Sequence, residues 1–328
     1  MKVLITGVGG LLGCHLAEHL IGRGYKVVGI DDLSGGYIEN VPKQTTFYNL
    51  NLQNSEAVDL IFQNEKPNIV FHFAAYAAEG LSRYIKKYNY ENNVLSSVSI
   101  INSCIKHSVD KLIFSSSMAV YGSQKTPFTE GMRPMPEDSY GIAKYTVEQD
   151  LKDSYNHFGL NYAIVRPHNV FGPKQNIWDK YRNVIGIWMR QALNGKPLTI
   201  FGDGQQTRAF SNIKYYMQPF EKIITEYNDE IFNIGADKYY KIVDVANIVL
   251  ETSAKHGFPT SIQHLEPRNE VKHAYCDHNK AKEMLNFKDE TVLETLVNEM
   301  FAWAKAQPQK DVKYMDYELT KNLYSYWK

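Results

Sequence analysis

Tyr140 and Lys144 stand four residues apart in Asp138-Ser139-Tyr140-Gly141-Ile142-Ala143-Lys144. On a helix that spacing puts both side chains on one face, and Asp138 or Ser139 is a suitable N-cap. A free tyrosine has a pKa near 10, so only about one in a thousand is ionised at neutral pH. A neighbouring ammonium favours the phenolate and can lower the pKa by roughly 1–3. Tyr140 is then able to exchange a proton with a substrate hydroxyl. Phe114-Ser115-Ser116-Ser117-Met118 closes another apolar run, and a serine hydroxyl both donates to and accepts from one reacting oxygen. Taken singly, each pattern also fits a surface pair or a polar loop.

A third group of residues has chemistry of another kind. Gly7, Gly10 and Gly13 are spaced three apart, after the apolar Val3-Leu4-Ile5 and at the start of a helical pattern. Glycine allows the turn. Without side chains, a pyrophosphate can approach the helix N-terminus, where free N–H groups and the dipole favour anions. Gly13 lets the helix lie close to the strand. A second apolar run ends at Ile30 and is followed by Asp31 and Asp32. An acid at that place accepts hydrogen bonds from an adenosine ribose and repels a 2′-phosphate, which favours NAD over NADP. Asp31 is the expected acceptor; Asp32 can share or take the role. A tight turn and a post-strand turn residue are the plain alternatives, weakened by strand, glycines and acid occurring in register.

The elements that must position these groups alternate. Val3–Ile5, Val27–Ile30, Ile69–Phe73, Lys111–Ser115 and Tyr162–Arg166 have strand character, and Leu11–Ile21, Ser55–Phe62, Asn93–Lys106 and Tyr140–Asn156 have helical spacing. The pattern predicts an α/β fold with a doubly wound parallel sheet, its ligands at the carboxyl ends of the strands. Residues 1–166 are expected to form the dinucleotide domain. Residues 167–328 are expected to form mainly a smaller mixed α/β substrate lobe, with helices near 183–193 and 241–254 and some segments returning to the first domain. The aromatic tail, with Tyr314, Tyr317, Tyr324, Tyr326 and Trp327, is expected to pack on its own domain or a neighbouring subunit rather than on a ligand.

Composition bounds the function. Of 328 residues, 44% are hydrophobic, and 36 basic residues balance 36 acidic ones. A net charge of zero argues against a broad nucleic-acid surface. Cys14, Cys104 and Cys276 lie far apart without metal-type spacing, so no metal site is expected and a reducing compartment is. No basic leader and no run of about 18 apolar residues is present, which predicts a soluble cytoplasmic protein without membrane contact.

Together the motifs resemble the extended short-chain dehydrogenase/reductase family, and within it the UDP-glucose 4-epimerases. The resemblance rests on TGVGGLLG at 6–13, GIDDLS at 29–34, HFAA at 72–75, ENNV at 91–94, SSSMAVYG at 115–122, YGIAK at 140–144, RPHNVFGP at 166–173, FGDGQQTR at 201–208 and NIGA at 233–236. It implies a Rossmann domain, bound NAD and a Ser117, Tyr140, Lys144 triad. Tyr140 would take the proton of a sugar 4-hydroxyl, Ser117 would hold the same oxygen, and Lys144 would lower the tyrosine pKa and bind the nicotinamide ribose. It adds Leu11, Leu12, Leu52, Phe73, Ala74, Ala75, Asn92, Ser115 and Pro167 to the cofactor wall. Asn169, Asn183, Arg208 and Arg268 would hold a nucleotide diphosphate, and Glu79 would face the sugar. A homodimer through helices starting near Asn93 and Tyr140 is implied as well.

The chain also departs from the family pattern. Met118-Ala119 stands where dehydratase relatives carry an acid–base pair, which favours plain 4-epimerisation of a UDP-hexose or UDP-hexuronate. Ala77 replaces a lysine expected near the diphosphate, Glu79 is an unusual charge beside the sugar, and Asp179-Lys180-Tyr181-Arg182 is basic for a loop facing the substrate. A nucleotide-sugar 4-oxidoreductase or dehydratase, or a catalytically silent nucleotide-binding relative, are the competing readings.

Overall fold

The computed structural model describes residues 1–327. Strands β1 (Lys2–Thr6), β2 (Lys26–Asp31), β3 (Thr46–Asn49), β4 (Ile69–His72), β5 (Lys111–Ser115), β6 (Tyr162–Pro167) and β7 (Glu230–Ile234) form one sheet. Their order is β7-β6-β5-β4-β1-β2-β3, and every pairing is parallel. The chain runs outward from β1 to β3, then crosses back to place β4 on the other side of β1. A crevice opens at such a reversal, outside the carboxyl ends of the strands.

The central strands are continuous apolar runs because both faces are covered. On one face lie α1 (Leu11–Gly22) and α6 (Met217–Thr225), the latter through Phe220 and Ile223. On the other lie α2 (Ser55–Glu65), α3 (Ser96–Lys106) and α4 (Ser139–Phe158), packed through Phe62, Ile101 and Leu151. A second core joins α5 (Val184–Leu193), α7 (Ile242–Lys255) and a helix over Leu293–Ala304 around Trp188, Val245 and Phe301. Three parts of the second half therefore return to the sheet: β7 extends its edge, and α6 and the helix over Asn279–Leu285 cover a face.

Two strands escaped the sequence pattern. Thr46–Asn49 is half-exposed and polar at its edge, and Glu230–Ile234 begins with an acid inside the irregular half. The helix expected from Asn93 is regular only from Ser96, because Glu91–Leu95 is wound as a wider π turn. The helix expected from Asn183 starts at Val184, and Asn183 caps it. No helix among the described residues is long and apolar enough to cross a membrane.

The tail forms a strap. The Glu318 carboxylate accepts from the N–H groups of Lys87 and Tyr88 at 2.7 and 2.8 Å, and the Tyr84 hydroxyl donates to the Asn322 carbonyl at 2.7 Å. Farther across, the Tyr314 hydroxyl accepts from the Lys180 N–H and donates to the Trp178 carbonyl. The Tyr317 and Tyr181 hydroxyls are hydrogen-bonded. Trp327 meets Tyr84, Tyr181 and Tyr324 edge to face. The strap thus ties a loop of the sheet domain to a loop of the second core.

Candidate active site

A cleft of about 530 Å³ runs along the carboxyl ends of β1, β2, β4, β5 and β6. Every residue nominated from the sequence for cofactor, substrate or chemistry lines it. Its deep end is made by main chain. Gly7 has φ +71°, and a Cβ there would lie 2.8 Å from the Ala74 nitrogen; a Cβ on Gly13 would lie 2.2 Å from the Gly7 carbonyl oxygen. Gly10 begins α1 with no side-chain cap, and no acid occupies the first turn. Helix N–H groups facing the cleft are thereby left for an anion.

Asp31 is buried, and its carboxylate accepts from the Gly9 N–H at 2.9 Å and the Leu33 N–H at 2.8 Å. Burial nonetheless raises its pKa. The same carboxylate therefore fixes the glycine turn and lines the cleft, a double duty that sequence spacing did not reveal. Asp32 accepts from Ser34 and from the Asn51 amide. Leu52, Phe73, Ala74, Ala75, Asn92, Ser115 and Pro167 complete this end; the Asn92 amide donates to the Tyr88 carbonyl at 2.8 Å. A pyrophosphate-bearing dinucleotide fits this donor set: open helix N–H groups, a floor that admits no Cβ, and a carboxylate beyond it.

The reacting centre follows. Asp138 caps α4 by accepting from the N–H groups of Tyr140 and Gly141, both at 2.9 Å, which sets Tyr140 at the first turn. Ser117 follows β5, its hydroxyl accepts from the Ala119 N–H at 3.1 Å, and it lies near enough to Tyr140 to favour the phenolate. Lys144 donates to the Ser115 carbonyl at 2.7 Å, and its nitrogen lies 5.8 Å from the Tyr140 ring centre.

The electrostatics correct one expectation. Burial holds Tyr140 well above the usual tyrosine range; Ser117 opposes this, while Glu79 and Asp138 reinforce it. Lys144 is not what sets Tyr140, because burial pushes its own pKa down to about 7 against the pull of Glu148.

Beneath the centre is a buried group that the motifs did not single out. Arg166 donates to Glu148 at 2.6 and 2.9 Å, and Glu148 accepts from the Ser116 hydroxyl at 2.5 Å. Glu148 lies one turn beyond Lys144 on the same helix face, which was the available signal.

The opposite wall is made of side chains. The Asn169 amide donates to the Ala209 carbonyl at 2.9 Å. Asn183 uses its oxygen to cap α5 and its amide to reach the Val170 carbonyl. Arg208 donates to the carbonyls of Thr207, Lys272 and Val271. Arg268 lies 3.5 Å from Glu270, with its guanidinium 3.8 Å over the Phe201 ring and its Nε buried without a partner. In the basic loop Arg182 pairs with Asp179 at 2.9 Å and lies over the Tyr76 ring, while Lys180 lines the cleft and stacks on aromatic rings. Tyr324, Tyr326 and Trp327 of the strap also line the cleft. The tail packs on its own chain as expected, and it forms a ligand-facing wall that was not expected.

Residues 3–235 match the NAD dependent epimerase/dehydratase family. The chain belongs to that family. A putative UDP-glucose 4-epimerase of Methanocaldococcus jannaschii is 31% identical over 92% of this chain and 98% of its own length. Among solved structures, the UDP-glucose 4-epimerase of Thermotoga maritima with UDP-glucose is 30% identical, at a TM-score of 0.87, over 92% of this chain and 98% of the other. The UDP-glucuronic acid 4-epimerase of Bacillus cereus, in complex with UDP-glucuronic acid and NAD, is 25% identical, at a TM-score of 0.83, over 93% and 99%.

Proposed function

We propose that this chain epimerises a UDP-linked hexose at C4, with NAD as a resident cofactor. The observation that carries the reading is the meeting of Ser117, Tyr140 and Lys144 in one cleft with the open N-terminus of α1. When bound, NAD supplies the hydride acceptor and donor for C4 and a positively charged ring. The chain's own residues do the remaining work. Tyr140 removes the proton from the sugar 4-hydroxyl and returns it to the 4-keto sugar, and Ser117 holds the same oxygen. Lys144 orients the loop through the Ser115 carbonyl and binds the nicotinamide ribose. Asn169, Arg208 and Arg268 hold the diphosphate. Plain epimerisation is favoured because Met118 is buried and Ala119 carries no proton donor.

We assign residues 1–166 to the cofactor domain and the remainder mainly to the substrate lobe, apart from β7, α6 and the helix over Asn279–Leu285. Two chains are proposed to pair along α3 and α4, beside the exposed Leu95 and Ile142; a clean monomer in sedimentation at micromolar concentration would refute this. Three free, buried cysteines accord with a reducing cytoplasm. The test of the chemistry is NMR of UDP-glucose and UDP-galactose incubated separately with the protein. Each should yield the other without net NADH; a released keto product, or no change in any UDP-, GDP- or dTDP-hexose, would reject it.

A further inference from the structure

We propose that Glu79 is the residue that selects the sugar, admitting a hexose with hydrogen-bond donors beside C4 and turning away a hexuronate. The inference rests on the epimerase reading, which puts the 4-hydroxyl at Tyr140 and Ser117. Glu79 lines the same cleft and is exposed to it. Among the described residues no hydrogen bond or ion pair engages its carboxyl. It is close enough to Tyr140 to oppose ionisation of the phenol, as Asp138 does. Two acids therefore border the place where the sugar must react.

A hexuronate carries its carboxylate at C6, two bonds from C4. However the ring turns within the site, that charge stays beside the reacting carbon and so beside the two acids. A countercharge would be needed; of the nearby cations Arg182 is neutralised by an acid, and Lys180 and Arg83 are held in place by neutral groups. Arg182 is paired with Asp179. Lys180 lies over the Tyr181 and Tyr314 rings at 4.9 and 5.0 Å. Arg83 donates to the Asn269 and Glu137 carbonyls. The two arginines that do face Glu79, Arg208 and Arg268, are the ones assigned to the diphosphate. The surrounding protein, and then Asp138, raise the pKa of Glu79, so this corner already resists a second negative charge. A neutral hexose offers hydroxyl donors to the same carboxyl, which gives the unengaged oxygens of Glu79 a partner.

The experiment is calorimetric titration of NAD-loaded protein with UDP, UDP-glucose and UDP-glucuronate. UDP-glucose should bind at least about tenfold tighter than UDP-glucuronate. Glu79→Gln keeps the shape and removes the charge. It should bring the two within about threefold, with NAD affinity and the thermal transition held as the controls for folding. Arg182→Leu should leave the ratio as it was. Equal affinities in the unaltered protein, an unchanged ratio in Glu79→Gln, or selective loss of UDP-glucuronate in Arg182→Leu would overturn the proposal. Because binding is read separately from turnover, this selectivity without any epimer formed would reject the epimerase reading and leave the role of Glu79 standing.

Discussion

The two walls of the cleft are built from different material. The cofactor wall is main chain, drawn from short contiguous segments at the ends of β1, β2 and β4. Its tolerances are backbone distances, such as the 2.2 Å between a Cβ on Gly13 and the Gly7 carbonyl oxygen. The substrate wall is side chain, gathered from residues as distant as Glu79, Arg208 and Trp327. A backbone wall can change little without changing the fold. A side-chain wall can be rewritten one residue at a time. The difference explains how one family keeps one cofactor and meets several sugars.

The sharpest way to test this division is to strike the point both walls serve. Tyr140→Phe should lower turnover by about 10²–10⁴-fold, while NAD and the UDP-sugar still bind. Single-turnover NADH absorbance reads it, and an undiminished rate would remove Tyr140 from the chemistry. Gly13→Ala strikes the backbone wall alone. Overpacking of this kind destabilises by about 1–3 kcal/mol, and NAD affinity should fall at least about tenfold. UDP affinity should be nearly untouched, so equal losses of both ligands would break the comparison.

Trp327→Ala strikes the other side. KM for the UDP-sugar should rise about three- to tenfold with NAD affinity unchanged. A fluorescence titration showing NAD weakened as much as the sugar would join the walls into one. The smallest effect concerns Lys144, which burial pushes from 10.5 down to about 7. A base depressed in the fold penalises folding most where it is still charged, below about pH 7. The penalty shrinks as pH rises toward the unfolded value. Cofactor-free Lys144→Met should therefore gain more thermal stability over the unaltered protein at pH 6 than at pH 9. A gain that grows with pH would reverse the sign.

The same division governs what the sequence disclosed. Local motifs carry the cofactor wall, because glycine spacing and a post-strand acid are properties of contiguous residues. Five of the seven sheet strands are equally local, as buried apolar runs. Thr46–Asn49 carries too little apolar pattern to stand out, and Glu230–Ile234 joins the sheet only through its pairing with β6. The lowered pKa of Lys144 depends on burial, which spacing does not encode. The ligand-facing side of the strap was least legible, since no local signal in an aromatic tail names the loop it will meet.

The strap also imposes an order in time. Its clasp on Tyr84 joins residues 238 positions apart, the kind of long-range closure that comes late in folding. The glycine turn and all seven sheet strands are encoded by residues 1–234, and Ala281, Leu285 and Phe287 still have to complete the core packed on them. The wall around the sugar waits for Trp327. A chain ending before the strap would therefore keep the strands of the sheet and lack the aromatic side of the cleft.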